Sequence, residues 1–229
     1  SLMVDGGANR VTLHHNLVMH GKMRNPLFPC EGDKPVIIDF VNNVIYNSGL
    51  KAGHSDGKTN HQVDMNFVGN WYIMGPNSKK VPCLIHNVDT RVYARGNIGP
   101  VRTEPGMDEY AGIQWNGPRK RSGLKAPERF DAAPEVTHQS YKEACKLILQ
   151  HAGASLPKRD AVDQRLLKEF LERKGSIINH PKEVGGWPEL RAAAAPPDND
   201  LDGMPDQWER EHELDPTNPV DHRADADGD

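Results

Sequence analysis

The stretch VTLHHNLV, Val11–Val18, recurs in altered form as IDFVNNVI at Ile38–Ile45, MNFVGNWY at Met65–Tyr72 and VYARGNIG at Val92–Gly99. Aligned this way, Asn16, Asn43, Asn70 and Asn97 stand 27 residues apart. Three residues before each asparagine come Leu13, Phe40, Phe67 and Ala94; five before come Val11, Ile38, Met65 and Val92. Apolar positions two apart, with more polar residues often between them, are the alternation of a strand with one face inward. A fixed period of this size marks a solenoid. Short β-rich segments with interspersed Gly, Asn and Pro favour a parallel β-helix over helical repeats. Successive coils then stack at roughly 4.8 Å. The asparagines fall at bends between strands, where their amides hydrogen-bond up the stack and satisfy polar groups that the bend strands. The same geometry sets Cys30 and Cys83 two coils, about 9–10 Å, apart. That exceeds disulfide reach, so these two are predicted not to pair. With Cys145 the count is odd, and no self-contained disulfide framework follows.

The periodic signal fades after Gly99, and residues 100–136, rich in Pro, Gly and charge, read as loops. Two helices follow. Ser140 and Glu143 make a capping box ahead of the stripe Tyr141, Cys145, Ile148 and Ala152, with Gly153 at its end. Asp160 caps the second helix, which turns Val162, Leu166 and Phe170 inward and stops at Gly175. The expected organisation is a partial β-helix over 1–125, a loop and two-helix segment over 126–192 packed on its flank or end, a linker at 193–197 and an acidic tail over 198–229.

Charge divides the same way. Residues 198–229 carry twelve acidic and two basic side chains, a net of −10, which leaves +6 on residues 1–197. A mildly basic body suits a polyanionic ligand and an acidic tail suits a cation. The basic groups lack interleaved aromatics, which argues against nucleic acid. No run approaches the roughly 18 apolar residues of a membrane span. The chain opens at SLMVDGGANRV and stops at DADGD, and so reads as an excised piece.

The segments HHNLVMHGKMRNPLF and DFVNNVIYNSG are similar to the C-terminal half of a pectate lyase of polysaccharide lyase family 1. ASLPKRDAVDQRLL, VGGWPEL and DNDLDGMPDQWE resemble the tail of bacterial and fungal members. The resemblance covers nearly the whole chain. It implies a right-handed parallel β-helix, a calcium requirement and eliminative cleavage of α-1,4-linked galacturonan, with pectate as the partner. A plant-wall substrate further implies secretion; a monomer is expected.

β-Elimination needs a base for the proton at C5 of a galacturonate. It also needs positive charge on the adjacent carboxylate as that group gains enolate character. The resemblance assigns the base to an arginine in an R-x-P context, which Arg24 of Arg24-Asn25-Pro26 matches. Because arginine ordinarily stays protonated, positioning and neutralising the carboxylate is the more conservative role. Arg24 lies eight residues after Asn16, Lys51 eight after Asn43, and Lys79 and Lys80 nine and ten after Asn70. Basic side chains are therefore predicted to climb one face. Many family members have a second arginine five residues after the first; here that position is Pro29. Lys22, Lys51 and His20 are the candidate substrate contacts. His14 and His15 point to opposite sides of a strand and are read as structural, since no convergent set makes a zinc site. The family's catalytic calcium ligands belong to coils N-terminal to the HHN turn, so the piece by itself is expected to be inactive.

A second cation site is written in the tail. Asp198, Asp200, Asp202, Gly203, Asp206 and Glu209 occupy positions 1, 3, 5, 6, 9 and 12 of a twelve-residue Ca²⁺ loop, an EF-hand-like pattern in which Met204 supplies a backbone carbonyl. Asp225, Asp227 and Asp229 open another such loop. Two rival functions stay open. A β-helix galacturonan hydrolase needs two convergent carboxylates, and Asp39 and Asp64 fall out of phase. A non-catalytic polysaccharide-binding solenoid needs only the basic face.

Overall fold

The computed structural model describes residues 1–4, 8–30, 36–50, 52–57, 63–87, 90–116, 124–132, 136–156, 158–189 and 194–223. They form two compact units, Ser1–Pro188 and Glu189–Asp229.

The first unit is a parallel β-helix. Each coil contributes one strand to each of three parallel sheets. The first sheet runs β1 (Val11–His14), β4 (Val36–Val41), β7 (Val63–Val68) and β10 (Thr90–Arg95). The second runs β2 (Leu17–Met19), β5 (Val44–Tyr46) and β8 (Trp71–Ile73), and a bridge from Trp71 to Ile98 adds a fourth rung. The third holds β3 (Leu27–Cys30), β6 (Gly53–Gly57), β9 (Leu84–Asn87) and β11 (Ile113–Asn116).

Registry in the first two sheets keeps the 27-residue period at every step, as in Ile38 against Met65 and Val44 against Trp71. The third sheet does not. Leu27 faces His54, but Gly53 faces Leu84 and Leu84 faces Ile113, offsets of 31 and 29. The solenoid thus continues past Gly99 into β11, inside the stretch expected to be loop. The drifting offset hides β11 from a search at fixed period.

The alternation predicted for the first sheet builds the interior. Ile38, Phe40, Met65, Phe67, Val92 and Ala94 are all buried. The Phe40 and Phe67 rings stack at 6.0 Å, and Phe28 meets Phe40 edge-on. Each such side chain contributes roughly 1.5–3 kcal/mol by leaving water.

The bend between the first and second sheets has two parts. The residue before each ladder asparagine is left-handed: His15, Asn42, Gly69 and Gly96 have φ of 53°, 53°, 64° and 68°. Glycine adopts this region without a Cβ clash and asparagine tolerates it. The asparagines then stack. Asn16 Nδ2 donates to Asn43 Oδ1 at 2.9 Å, Asn43 to Asn70 at 3.1 Å and Asn70 to Asn97 at 2.9 Å. Each Oδ1 also accepts the backbone N–H of the asparagine one coil earlier, at 2.9–3.0 Å. The last rung closes on Arg102, which is buried, donates to Asn97 O and pairs with Glu109 at 3.0 Å.

Two coverings hide the outer faces. Residues 124–132 and 136–139 lie against the first sheet as an irregular strap. Asn66 and the Phe130 backbone exchange two hydrogen bonds, Arg129 holds buried Asp39, and Asn42 exchanges two with Gln139. The second sheet is covered by α1 (Tyr141–His151) and α2 (Ala161–Glu172). Val44 and Tyr46 pack with Cys145, Ile148 and Phe170, so the helices lie on the flank. The Ser140–Glu143 capping box and the Asp160 cap form as predicted, but α2 ends at left-handed Arg173 rather than Gly175. Cys83 and Cys145 are free and buried, so Cys83 is not bonded to Cys30.

The second unit contains α3 (Asp206–Glu211) and a short 3-10 turn at Asp221–Arg223. Among its described residues no apolar side chain is buried; the buried residues are Asp206 and Glu209.

Candidate functional site

Arg24 stands on the turn that carries the first coil from β2 into β3. Two residues fix that turn. Gly21 is buried, and a Cβ there would sit 2.0 Å from Asn25 Oδ1, so only glycine admits the Asn25 side chain. Asn25 is buried and donates from Nδ2 to Gly21 O at 3.0 Å and to Ser48 Oγ at 2.8 Å. Backbone bonds tie the turn to the next coil: Gly49 N–H to Gly21 O, Leu50 N–H to Lys22 O and Asn25 N–H to Ala52 O.

With Asn25 turned in, its neighbour Arg24 turns out. Arg24 is exposed at φ 63°, its carbonyl accepts from Leu2 N–H at 2.8 Å, and its guanidinium has no partner among the described residues. Lys22 is exposed on the same turn, and Lys79 and Lys80 are exposed on the equivalent turn of the third coil. Lys51 lies outside the described residues, as does the side chain of Pro29.

His20 sits elsewhere. Its ring is buried beneath α2, with Nδ1 accepting from Asn47 Nδ2 at 2.8 Å and Nε2 at 3.0 Å from Glu169 Oε2. Asn47 Oδ1 already accepts the Asn77 N–H, so the amide cannot flip and Nδ1 stays unprotonated. Burial lowers the His20 pKa, with Glu169 opposing. Nδ1 is taken by Asn47 and Nε2 is buried against Glu169, so neither is open to a sugar. His14 and His15 do not point to opposite sides of a strand as expected: β1 ends at His14, left-handed His15 turns back, and the two join through their Nδ1 atoms at 2.9 Å, with His15 Nε2 at 2.8 Å from Gln139 Oε1. Asp39 and Asp64 are held by Arg129 and Arg91, so they do not form the convergent pair a hydrolase needs.

In the second unit, Asp200, Asp202, Glu209 and Asp221 each bring a carboxylate oxygen within 4.8 Å of the others. Asp200 Oδ2, Asp202 Oδ2, both Glu209 oxygens and Asp221 Oδ1 are buried without a hydrogen-bond partner. Burial, then neighbouring carboxylates, raise the pKa of Asp200 and of Glu209. Of the predicted loop ligands, Asp200, Asp202 and Glu209 converge. Asp198 instead accepts the Leu201 and Gly203 N–H groups, and Asp206 accepts from Asn199 twice and from Arg210. Met204 donates its N–H to Asp202 Oδ1.

Asp221 was not legible as a partner, because the loop motif ends at Glu209. The DPTNP turn brings it back, with Asp215 N–H donating to Asp221 Oδ2 at 2.9 Å. Gly21 and Asn25 were also missed, since neither forms part of a recurring pattern.

No protein-family profile matches the chain. A probable pectate lyase C of Aspergillus flavus is 30% identical over 226 residues, covering 94% of this chain and 49% of that protein. The namesake of Aspergillus oryzae is likewise 30% identical over 226 residues, and that of Neosartorya fischeri 28% over 218, each with the same two coverages. The chain spans about half the length of the curated relatives it matches. With 94% of the chain matched in each case, it is similar over nearly its whole length to these probable pectate lyases.

Proposed function

We propose that this chain carries part of the substrate groove of a calcium-dependent pectate lyase that cleaves α-1,4-galacturonan by β-elimination outside the cell. The observation that carries the reading is the exposed guanidinium of Arg24, without a partner among the described residues, on a turn fixed by Gly21 and Asn25. An anchored turn holds a cation in place without reorganisation, which is what a developing negative charge requires.

In the reaction a proton leaves C5, its electron pair forms the C4–C5 double bond, and the bond to the neighbouring sugar's oxygen at C4 breaks. Arg24 binds the C5 carboxylate and stabilises it as charge moves onto it. Its match to the family's R-x-P arginine also makes it the candidate proton acceptor. Lys22 neutralises a second carboxylate, Lys51, eight residues after Asn43 as Arg24 is after Asn16, is assigned a further one, and exposed Lys79 and Lys80 continue the basic face. We leave His20 out of the substrate contacts because its Nδ1 is taken by Asn47 and its Nε2 is buried. Calcium, when bound at the groove, supplies further positive charge at substrate carboxylates.

The test is release of ultraviolet-absorbing unsaturated product from polygalacturonate by a protein containing this chain. Arg24→Ala is expected to abolish release while retaining most polysaccharide binding. Arg24→Lys, which keeps charge but not the planar fork, is expected to recover little of it. Saturated reducing ends as the sole product would point to hydrolysis. Binding with no cleavage, even in the unaltered protein, would leave a carbohydrate-binding solenoid.

A further inference from the structure

We propose that Asp200, Asp202, Glu209 and Asp221 hold one calcium ion, and that this ion is the interior of the Glu189–Asp229 unit. The inference is independent of the lyase reading. It also redraws the twelve-residue loop: Asp221 enters as a ligand from outside the loop, and Asp198 and Asp206 leave the ligand set.

The first support is what the unit lacks. Domains of this size need a hydrophobic core, a disulfide or a metal to stay folded. Here no described apolar side chain is buried, while Glu209 is fully so and the Asp202 side chain is as well. A dry centre made of carboxylates is stable only when a cation balances it.

The second support is hydrogen-bond accounting. Buried polar atoms in folded proteins are nearly always paired, yet five carboxylate oxygens of these four residues are buried and unpaired. The other oxygens of the three aspartates are engaged by backbone N–H groups of Asp202, Met204 and Asp215, which aim the free ones at a common point. Asp198 and Asp206 have no oxygen left over in this sense. They shape the loop by accepting from Leu201, Gly203 and Asn199.

The donor set selects the ion. Five anionic oxygens, two of them from one glutamate, suit Ca²⁺, which takes about 6–8 oxygens and accepts a bidentate carboxylate. Mg²⁺ prefers a stricter octahedron with several waters kept. Zinc prefers nitrogen or sulfur. The imidazole nitrogen His222 Nδ1, 3.7 Å from Asp202 Oδ2, is already directed at Pro219 O at 3.0 Å.

The test uses the full chain, stripped of metal and titrated with Ca²⁺ by calorimetry, in an Asp225→Asn/Asp227→Asn background that silences the following acidic segment. One ion per chain is expected. Asp221→Asn and Glu209→Gln should each weaken binding about tenfold or more, and Asp206→Asn less than about threefold. Proteolysis within residues 194–223 should be suppressed by Ca²⁺ in the background chain and not in the Asp221→Asn chain. Tb³⁺ luminescence sensitised by Trp208, next to Glu209 on α3, reports the same site without requiring that every variant stay folded. Binding by Asp221→Asn equal to the background overturns the proposal in favour of the twelve-residue loop alone. A background chain that binds no ion or gains no protection overturns both the proposed site and the twelve-residue loop.

Discussion

Asn70 offers the sharpest test of the stacked coils. Its Oδ1 accepts the Asn43 N–H at 2.9 Å and Asn43 Nδ2 at 3.1 Å, while its Nδ2 donates to Phe40 O and to Asn97 Oδ1, each at 2.9 Å. Alanine removes all four. At about 1 kcal/mol net per hydrogen bond, that is about 4 kcal/mol. Asn43 N–H loses its one recorded acceptor inside a buried bend, and a stranded donor adds about 1–3 kcal/mol. Asn70→Ala should therefore cost about 5 kcal/mol or more, against a total stability for most domains of about 5–15 kcal/mol. Asn16→Ala is the control. Asn16 is exposed and forms its ladder bonds on one side, so its loss should cost about 1–2 kcal/mol. The assay is urea unfolding followed by far-ultraviolet circular dichroism, comparing midpoints at unchanged slope. If Asn70→Ala and Asn16→Ala shift the midpoint equally, the ladder is not cooperative and the account of the bends fails.

Three further substitutions probe the coverings and the core. Arg129→Ala leaves the fully buried Asp39 carboxylate unpaired and should destabilise by about 3 kcal/mol, most of it recovered when Asp39→Asn is added; urea midpoints of the single and double variants decide. Gly99→Ala would place a Cβ 2.1 Å from Cys83 Sγ, so it should cost about 1–3 kcal/mol alone and much less in a Cys83→Ala background, read as a double-mutant cycle. Burial pushes the Cys83 thiol up to about 12, so the native chain should resist thiol reagents at this residue until unfolded, as peptide mapping after alkylation would show. For His20 the folded pKa lies below the unfolded value, so the unfolded chain binds the proton first. Stability from the neutral ring is complete above about pH 6.5 and is lost as pH falls through the depressed value. His20→Gln, which keeps a donor for Glu169 and an acceptor for Asn47, should therefore flatten the fall in melting temperature between about pH 7.5 and about pH 5.5. An unchanged fall would mean that protonation elsewhere, for instance at His138, whose pKa burial also lowers, governs it.

Legibility followed how local each interaction is. The asparagine period and the inward pairs such as Ile38 and Phe40 were readable because the first two sheets tolerate no insertion. The helix caps were readable because Ser140–Glu143 and Asp160–Asp163 bond within one turn. The left-handed residue before each asparagine was not, because His, Asn and Gly all serve there and show no shared side chain. The strap was invisible for a different reason. Gln139 bonds Asn42 across 97 residues, and it belongs to no strand or helix whose period could reveal it. The acidic site was half readable. A spacing rule finds residues within one loop, and Asp221 arrives by a separate turn.

The same contrast explains where the chemistry can sit. A coil stacks only if its asparagine and left-handed bend meet their counterparts, which forbids length changes between the first and second sheets. The turn entering the third sheet has no such ladder, and it varies from residues 47–52 in the second coil to 74–83 in the third and 99–112 in the fourth. Arg24, Lys22, Lys79 and Lys80 all belong to that turn. Fixed rungs supply the spacing and the variable turn supplies the side chains, so an added residue there alters the cations presented without breaking the stack. One glycine inserted between exposed Lys79 and Lys80 in the 74–83 turn should therefore leave the unfolding midpoint within about 1 kcal/mol of the unaltered chain, because loop closure grows slowly with length. One glycine inserted between Val41 and Asn42 should displace Asn43 from both its neighbours and unfold the coil. If urea titrations found the two insertions equally harmful, the division between scaffold and presenting turn would be wrong.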